Sequence, residues 1–210
     1  VLRTTPGSAF TSVNTTRPTS ASPGSVNSVA SPMTPYDPLW LNELQADNVT
    51  GPVDNAGQRD PWIELYNAGL APIDLSGYFL ANNYDTNLTQ WQFPAGSSIG
   101  PGEFKIVWAD GQTAQSSGAN LHANFRLNST TGSVALVRLV GGKPQITDYL
   151  TYSGLVPDRS YGDYPDGQTF QRRQFYRPTP GGTNDATAPP VTLFINEWMA
   201  ANTTFLPDPM

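Results

Sequence analysis

Two stretches decide the fold: Asp-Pro-Trp-Ile-Glu-Leu-Tyr-Asn at residues 60–67 and Ile-Asp-Leu-Ser-Gly-Tyr at residues 73–78. In the first stretch the side chains alternate between two faces, so that Ile63 and Leu65 share one face and their neighbours share the other. This alternation is typical of a β-strand that buries one face. The second stretch contains Ser76-Gly77, a dipeptide that favours a turn. Together they predict a strand, a turn and a second strand.

Outward from these stretches, short apolar runs alternate with Gly- and Pro-containing turns. Gly141-Gly142 suits a two-residue hairpin loop. No helical pattern of 10–15 residues lies between the strands, which favours an antiparallel all-β sandwich or barrel. Further strands are predicted at 39–44, 78–81, 90–93, 103–109, 124–127, 133–140, 146–152 and 169–173. The predicted core is Leu41, Ile63, Leu65, Leu75, Leu80, Phe93, Phe104, Ile106, Trp108, Phe125, Leu127, Val134, Leu136 and Tyr149.

Composition narrows the class of protein. With 19 Gly and 20 Pro, turns must be frequent and long helices are disfavoured. The net charge of −6 argues against a nucleic-acid partner, because phosphate binding needs clustered cations. There is no Cys, so disulfides and thiolate metal sites are excluded. No apolar run approaches the ~18 residues of a membrane-spanning helix.

Two sequence elements recur in the same order. Arg-Pro-Thr-Pro-Gly at residues 177–181 precedes Ile195-Asn196-Glu197, and Arg17-Pro18-Thr19 with a later Pro-Gly precedes Leu41-Asn42-Glu43. Such recurrence with nearly equal spacing predicts a tandem array. We expect residues 1–36 to be the end of an upstream repeat plus a Pro/Ser/Thr-rich linker. Residues 37–185 would form one complete domain, 186–192 a linker, and 193–210 the opening strand of the next repeat.

The ordered motifs resemble the lamin tail domain family in its bacterial form. The resemblance covers about residues 39–185, and it implies an immunoglobulin-like β-sandwich. It implies no catalytic residues, and it leaves the ligand open. The residues that carry it are 41–43, 60–67, 73–78, 93–94, 101–103, 160–162, 165–167, 178–181 and Asn184.

His122, Glu43 and Glu64 are the polar residues that could take part in catalysis. His122 is the only histidine, no Gly-x-Ser-x-Gly motif accompanies it, and we interpret it as a loop residue. Glu43 and Glu64 on predicted strands could form a catalytic carboxylate pair, but outward glutamates that satisfy backbone or Arg groups explain them better. We therefore expect no enzyme.

The loop 47–60 concentrates oxygen ligands, and Asp54 and Asp60 are the candidate residues for calcium. The spacing is not that of an EF-hand, and Asx turns alone would also explain these residues. Apart from this possible calcium ion, no cofactor is expected.

The expected function is a non-enzymatic structural, adhesive or interaction module of an exported tandem-repeat protein, extracellular or at the cell surface. Its partners would be neighbouring copies or another chain, bound through sheet edges, with residues 193–199 pairing in this way. Two alternatives stay open. Exposed aromatic side chains could make it a glycan-binding accessory module, or it could be appended to an enzyme elsewhere in the parent chain.

Overall fold

A computed structural model of the chain describes residues 36–189, 191, 193–195, 198 and 201, together with the strands at 16–18 and 29–32. Within these residues the fold is all-β, and the only helical element is one 3₁₀ turn at Thr113–Gln115. No helix in the described part of the chain is long and apolar enough to cross a membrane.

Fourteen strands follow one another along the described chain. They are β1 Thr16–Pro18, β2 Val29–Pro32, β3 Leu39–Gln45, β4 Trp62–Asn67, β5 Ile73–Asp74, β6 Tyr78–Ala81, β7 Trp91–Gln92, β8 Ser98–Ile99, β9 Phe104–Trp108, β10 Leu121–His122, β11 Thr131–Val140, β12 Lys143–Ser153, β13 Ser160–Asp163 and β14 Arg172–Phe175.

Two larger sheets make up the sandwich. One has six strands in the order β10-β9-β4-β3-β13-β14, and the other has four in the order β12-β11-β6-β7. All neighbouring pairs are antiparallel except β10 with β9, which is parallel. Small two-stranded sheets are formed by β5 with β8 and by β1 with β2. The immunoglobulin-like antiparallel sandwich expected from the sequence is confirmed.

One hydrophobic core lies between the two sheets. The six-stranded sheet contributes buried aliphatic side chains, including Leu41, Ile63 and Leu65, and the four-stranded sheet contributes Leu80 and Leu136. Burying one such side chain stabilises the fold by about 1.5–3 kcal/mol. The face of the six-stranded sheet turned away from this core is called the outer face below.

Most predicted strands are present with shifted ends. The hairpin at Gly141-Gly142 is confirmed, because both glycines have positive φ (58° and 73°) and Val140 pairs with Lys143. The strand predicted at 124–127 is wrong: this segment makes only an isolated bridge from Arg126 to Asp110. Phe125 and Leu127 are both buried, so the segment has the alternating pattern of a strand, although it makes no ladder of backbone hydrogen bonds.

The core prediction is wrong for Phe104, Ile106 and Tyr149, and Trp108 is buried on the outer face and not in the core between the sheets. On β9, Phe104 and Ile106 pair with Tyr66 and Glu64, so they lie on the outer face and are only partly buried. Val107 points into the core instead. Tyr149 is 54% exposed. A side-chain period of two fixes the alternation but not which phase faces inward.

Arg172 on β14 joins the two sheets near one end of the sandwich. Its Nη2 donates to both oxygens of Asp148 on β12, at 2.8 and 2.9 Å, and its Nε donates to Asp163 on β13 at 2.8 Å. Asp148 also accepts the backbone N–H of Leu41 at 2.9 Å. This buried ion group holds the edges of the two sheets together.

The terminal expectations fall mostly outside the described residues. Of the predicted opening strand, Leu193, Phe194, Ile195 and Trp198 are described, and each is at least 79% exposed. They do not pack on the sandwich of this chain, so pairing with another copy or another chain stays a prediction. The role of residues 1–36 as the end of an upstream repeat is likewise untested.

Gly162 is required where β13 lies against β3. A Cβ added there would lie 2.0 Å from the Asn42 carbonyl oxygen and 2.8 Å from the Glu43 Cα. We therefore expect Gly162→Ala to lower the free energy of unfolding by about 1–3 kcal/mol, measured by urea unfolding. Gly77→Ala is the matched control, since a Cβ there meets nothing within 4 Å. Equal losses in both variants would contradict this packing.

Candidate functional site

A β-bulge sets up the first group of polar residues. Between Leu41 and Glu43 the register of β3 against β4 shifts, so that Leu41 pairs with Leu65 and Glu43 pairs with Glu64. Asn42 and Glu43 of β3 thus lie opposite one residue of β4, Glu64, which is the geometry of a β-bulge. Asn42 therefore joins Glu43 and Glu64 on the outer face, and these three residues are called the glutamate site.

Residues 177–185, called the closing segment, cover the glutamate site. The backbone N–H of Thr179 donates to Glu43 Oε2 at 3.1 Å, and the Thr179 hydroxyl donates to the same oxygen at 3.1 Å. The backbone N–H of Gly181 donates to Glu64 Oε2 at 2.5 Å. The backbone N–H groups of the closing segment thus find acceptors in Glu43 and Glu64. These hydrogen bonds fix the closing segment to the sheet.

The strands themselves supply the remaining donors. Ser160 Oγ on β13 donates to Glu43 Oε1 at 2.5 Å, and Asn42 Nδ2 donates to Glu64 Oε1 at 3.2 Å. All four carboxylate oxygens of the pair therefore accept hydrogen bonds from this chain. The expectation that these glutamates satisfy backbone groups agrees with this arrangement, although both are at most 1% exposed instead of lying at the surface.

Asn184 fastens the far end of the closing segment. Its Nδ2 donates to the carbonyl oxygens of Asn42, at 3.1 Å, and Asp163, at 2.8 Å. Its backbone N–H donates to Asp166 Oδ1 at 3.0 Å, and its Oδ1 lies 3.1 Å from the Thr179 hydroxyl oxygen. The segment is thus tied to β3, to β13 and to the loop after β13.

Burial dominates the electrostatics of the glutamate site. It raises the pKa of Glu43 to about 7, against the lowering effect of the Ser160 and Thr179 donors. It raises the pKa of Glu64 to about 8, and the negative charges of Glu43 and Asp166 add to this rise. Burial therefore disfavours two full negative charges at this site near neutral pH.

His122 is not the loop residue that the sequence suggested. It lies in β10, it is fully buried, and both ring nitrogens face oxygen atoms. Nδ1 is 2.7 Å from Asp110 Oδ2, and Nε2 is 2.8 Å from Asn55 Oδ1. The nearby Ser116 hydroxyl bonds the backbone of His122 and not its ring, so these residues form no nucleophilic triad.

The two candidate calcium residues meet different partners. Asp54 lies with Asp110 and His122, and one ligand atom of each lies within 4.8 Å of the others. Asp60 is paired instead with Arg126, whose Nη1 lies 2.6 Å from Asp60 Oδ1. Both aspartates are buried. The structure does not place them in one ligand group, and calcium binding by this loop stays a prediction.

With this geometry established, a comparison with family models gives one match. The model described as Lamin Tail Domain matches residues 36–154, more than half of the chain. This chain belongs to the lamin tail domain family. A search of curated proteins found no relative. The family match contains the glutamate site, Asp54, Asp110 and His122, whereas β13, β14 and the closing segment follow it.

Several aromatic side chains in this lamin tail domain are buried and serve packing. Trp62, Trp91 and Trp108 are buried. Tyr84 and Tyr149 are exposed and adjacent, with ring centroids 5.5 Å apart, but their planes are tilted by 52°. A flat stacking platform for a sugar is therefore not formed by this pair.

The sequence points to Glu43 and Glu64 but not to their partners. Asn42 and Thr179 belong to motifs far apart in the chain, and nothing in the sequence shows that these motifs are in contact. Asp110 carries no separate signal, because Asp110-Gly111 has the local pattern of a turn, and Asn55 is one of several Asn and Asp residues in its loop. The only available signal was the recurrence of the Asn-Glu and Pro-Thr-Pro-Gly elements together.

The raised pKa values predict how stability depends on pH. An acid whose pKa is higher in the folded state stabilises the fold below its unfolded pKa, and this contribution is lost as pH rises through the folded value. With unfolded values near 4.5 and folded values of about 7 and 8, stability should fall between pH 5 and 9. Urea unfolding at a series of pH values measures this fall.

Glu64→Gln removes one of the groups that titrate between pH 5 and 9. The stability of this variant should therefore fall less steeply with rising pH than that of the parent chain. Asp163, whose pKa burial raises to about 6, is retained and keeps a residual slope. Asp85→Asn, at an exposed carboxyl, is the matched control and should leave the slope unchanged. A Glu64→Gln profile parallel to that of the parent would contradict the assignment.

Proposed function

We propose that this chain is part of a tandem array of lamin tail domains in an exported protein, where it acts as a non-enzymatic structural or adhesive interaction module. The observation that carries the proposal is a contact: Thr179 of the closing segment bonds Glu43 of β3. These two residues belong to the two sequence elements that recur along the chain.

Their recurrence as a pair has a physical rationale. An Asn-Glu strand without its Pro-Thr-Pro-Gly partner would leave buried carboxylate oxygens without donors, which is costly. Any copy of the domain therefore needs both elements. Asn196-Glu197 repeats the strand element, and Arg17-Pro18-Thr19 repeats the closing one. This supports one copy of the domain ending before the described sandwich and another beginning after it.

The described part of the last segment supports an interaction role. Val191, Leu193, Phe194, Ile195 and Trp198 are between 79% and 88% exposed. So many large apolar side chains in water, next to a strand-like sequence, favour pairing with a sheet edge. The partner we propose is another copy of the domain, or another chain with an open edge.

The polar groups of the described domain support a non-enzymatic role. The glutamate pair is covered by the closing segment, and no substrate atom could approach its oxygens without displacing that segment. The His122 ring is buried and bonded on both nitrogens. General acid–base catalysis needs a group within hydrogen-bond reach of a substrate.

The tandem proposal predicts the sequence of the parent protein. In this domain Glu64 lies 22 residues after Asn42, and Thr179 lies 136 residues after Glu43. We expect a Trp-Ile-Glu-Leu-like strand about 22 residues beyond Asn196, and a Pro-Thr-Pro-Gly element about 136 residues beyond Glu197. Sequencing the parent gene checks both positions, and an unrelated domain there would remove the basis for an array.

Edge pairing by the last segment predicts self-association of the chain in solution. Sedimentation velocity should show concentration-dependent association that Ile195→Lys weakens at least tenfold, because a charge enters the apolar contact. Ala188→Lys, at an exposed position before the segment, is the matched control and should behave as the parent does. A chain that stays monomeric at all concentrations would contradict pairing between copies.

Two further measurements address the remaining parts of the proposal. Antibody labelling of intact cells should detect the protein, as export requires. A glycan array should give no specific signal, and specific binding of one glycan class would favour the glycan-binding alternative instead.

A further inference from the structure

We propose that Asp54, Asp110 and His122 form a binding site for a divalent transition metal ion of the Zn²⁺ or Mn²⁺ type. This site is separate from the glutamate site and goes beyond the proposed interaction role. It also differs in composition from the calcium pair predicted from the sequence, since it includes His122 and leaves out Asp60.

Three separate parts of the chain bring the donors together. Asp54 lies in the loop between β3 and β4, Asp110 follows the end of β9, and His122 lies in β10, which pairs with β9. One donor atom from each lies within 4.8 Å of the other two. Asp54 and Asp110 are 7% exposed and His122 is fully buried, so the group is closed from bulk water.

An unpaired oxygen supplies a second observation. Asp54 Oδ1 accepts hydrogen bonds from the backbone N–H groups of Ala56 and Gln58, both at 2.8 Å. This Asx turn accounts for one of the two carboxylate oxygens. Asp54 Oδ2 is buried and has no hydrogen-bond partner among the described residues. A buried carboxylate oxygen without a donor is strongly destabilising unless a cation or a proton compensates it.

The purely structural interpretation accounts for only part of the cluster. The bonds of His122 to Asp110 and Asn55 would explain a histidine that ties β10 to two loops. They leave Asp54 Oδ2 unexplained. The nearby Arg126 does not serve as its counter-ion, because it is paired with Asp60. A cation within the cluster would compensate Asp54 and the second carboxylate together.

The donor set selects the class of ion. Calcium prefers six to eight oxygen ligands, whereas an imidazole is a ligand that suits zinc or iron, and carboxylates suit manganese. The Asp110 carboxylate lies 2.7 Å from the ring Nδ1, and a carboxylate that accepts a hydrogen bond from the ring is the kind of contact that orients metal-binding histidines. Both ring nitrogens of His122 are engaged, so a metal ion has to displace one of these contacts, and the proton held on that nitrogen leaves for solvent.

The test uses the full chain with any affinity tag removed and with metals stripped by EDTA. We expect Zn²⁺ or Mn²⁺ to bind with one-to-one stoichiometry by isothermal titration calorimetry. At a hundredfold excess over Kd, the melting temperature should rise by about 5–10 °C. Co²⁺ should bind with visible absorption bands that report its ligands. Ca²⁺ should give no comparable shift.

Two substitutions decide between this site and alternatives. Asp54→Asn keeps the shape and the Oδ1 acceptor but loses the unpaired anionic oxygen, so it should fold and lose at least tenfold in metal affinity. Asp60→Asn, in the same loop, is the matched control and should bind as the parent does. No binding of any transition metal by the parent chain, equal binding by Asp54→Asn, or stabilisation by Ca²⁺ alone would overturn the proposal.

Discussion

The hydrogen bonds from the closing segment to Glu43 and Glu64 are the constraint on which the outer face of the sandwich depends. Two acids on neighbouring strands are buried, and burial is tolerated because backbone N–H groups of Thr179 and Gly181 reach their oxygens. The cost is a raised pKa at both carboxyls. In return, a Pro- and Gly-rich stretch with little apolar surface of its own acquires a defined position on the sheet.

The same arrangement extends to the rest of the six-stranded sheet. The bulge at Asn42 turns Asn42 and Glu43 to the same side, and Gly162 lets β13 approach β3 closely enough for Ser160 to reach Glu43. On the other side of β13, Arg172 bonds Asp163 and crosses to Asp148 of the four-stranded sheet. Polar contacts thus connect the closing segment, both sheets and the core through a few adjacent strands.

A domain built in this way suits a structural or interaction role, which depends on a fixed arrangement of strands and not on a reactive group. The buried glutamates of the domain are bonded to the closing segment, and a run of strongly exposed apolar side chains, Val191, Leu193, Phe194, Ile195 and Trp198, follows that segment. The opposite end of the six-stranded sheet, at β9 and β10, carries the Asp54, Asp110 and His122 cluster. Because that cluster joins two loops to β10, a bound ion there would stiffen one edge of the sandwich without affecting the closing segment.

The sequence alone determined the class of fold, the strand-rich order and the hairpin at Gly141-Gly142, because alternation and turn propensity are local properties. It also indicated that the Asn-Glu and Pro-Thr-Pro-Gly elements recur. Only the tertiary structure decided that these elements bond each other, across 136 residues, and that β9 turns Val107 inward instead of Phe104 and Ile106. It likewise decided that His122 is buried beside Asp110. The reason is physical: a period of two does not say which face is covered, and the partners of a buried polar group are set by loops that meet only in the folded chain.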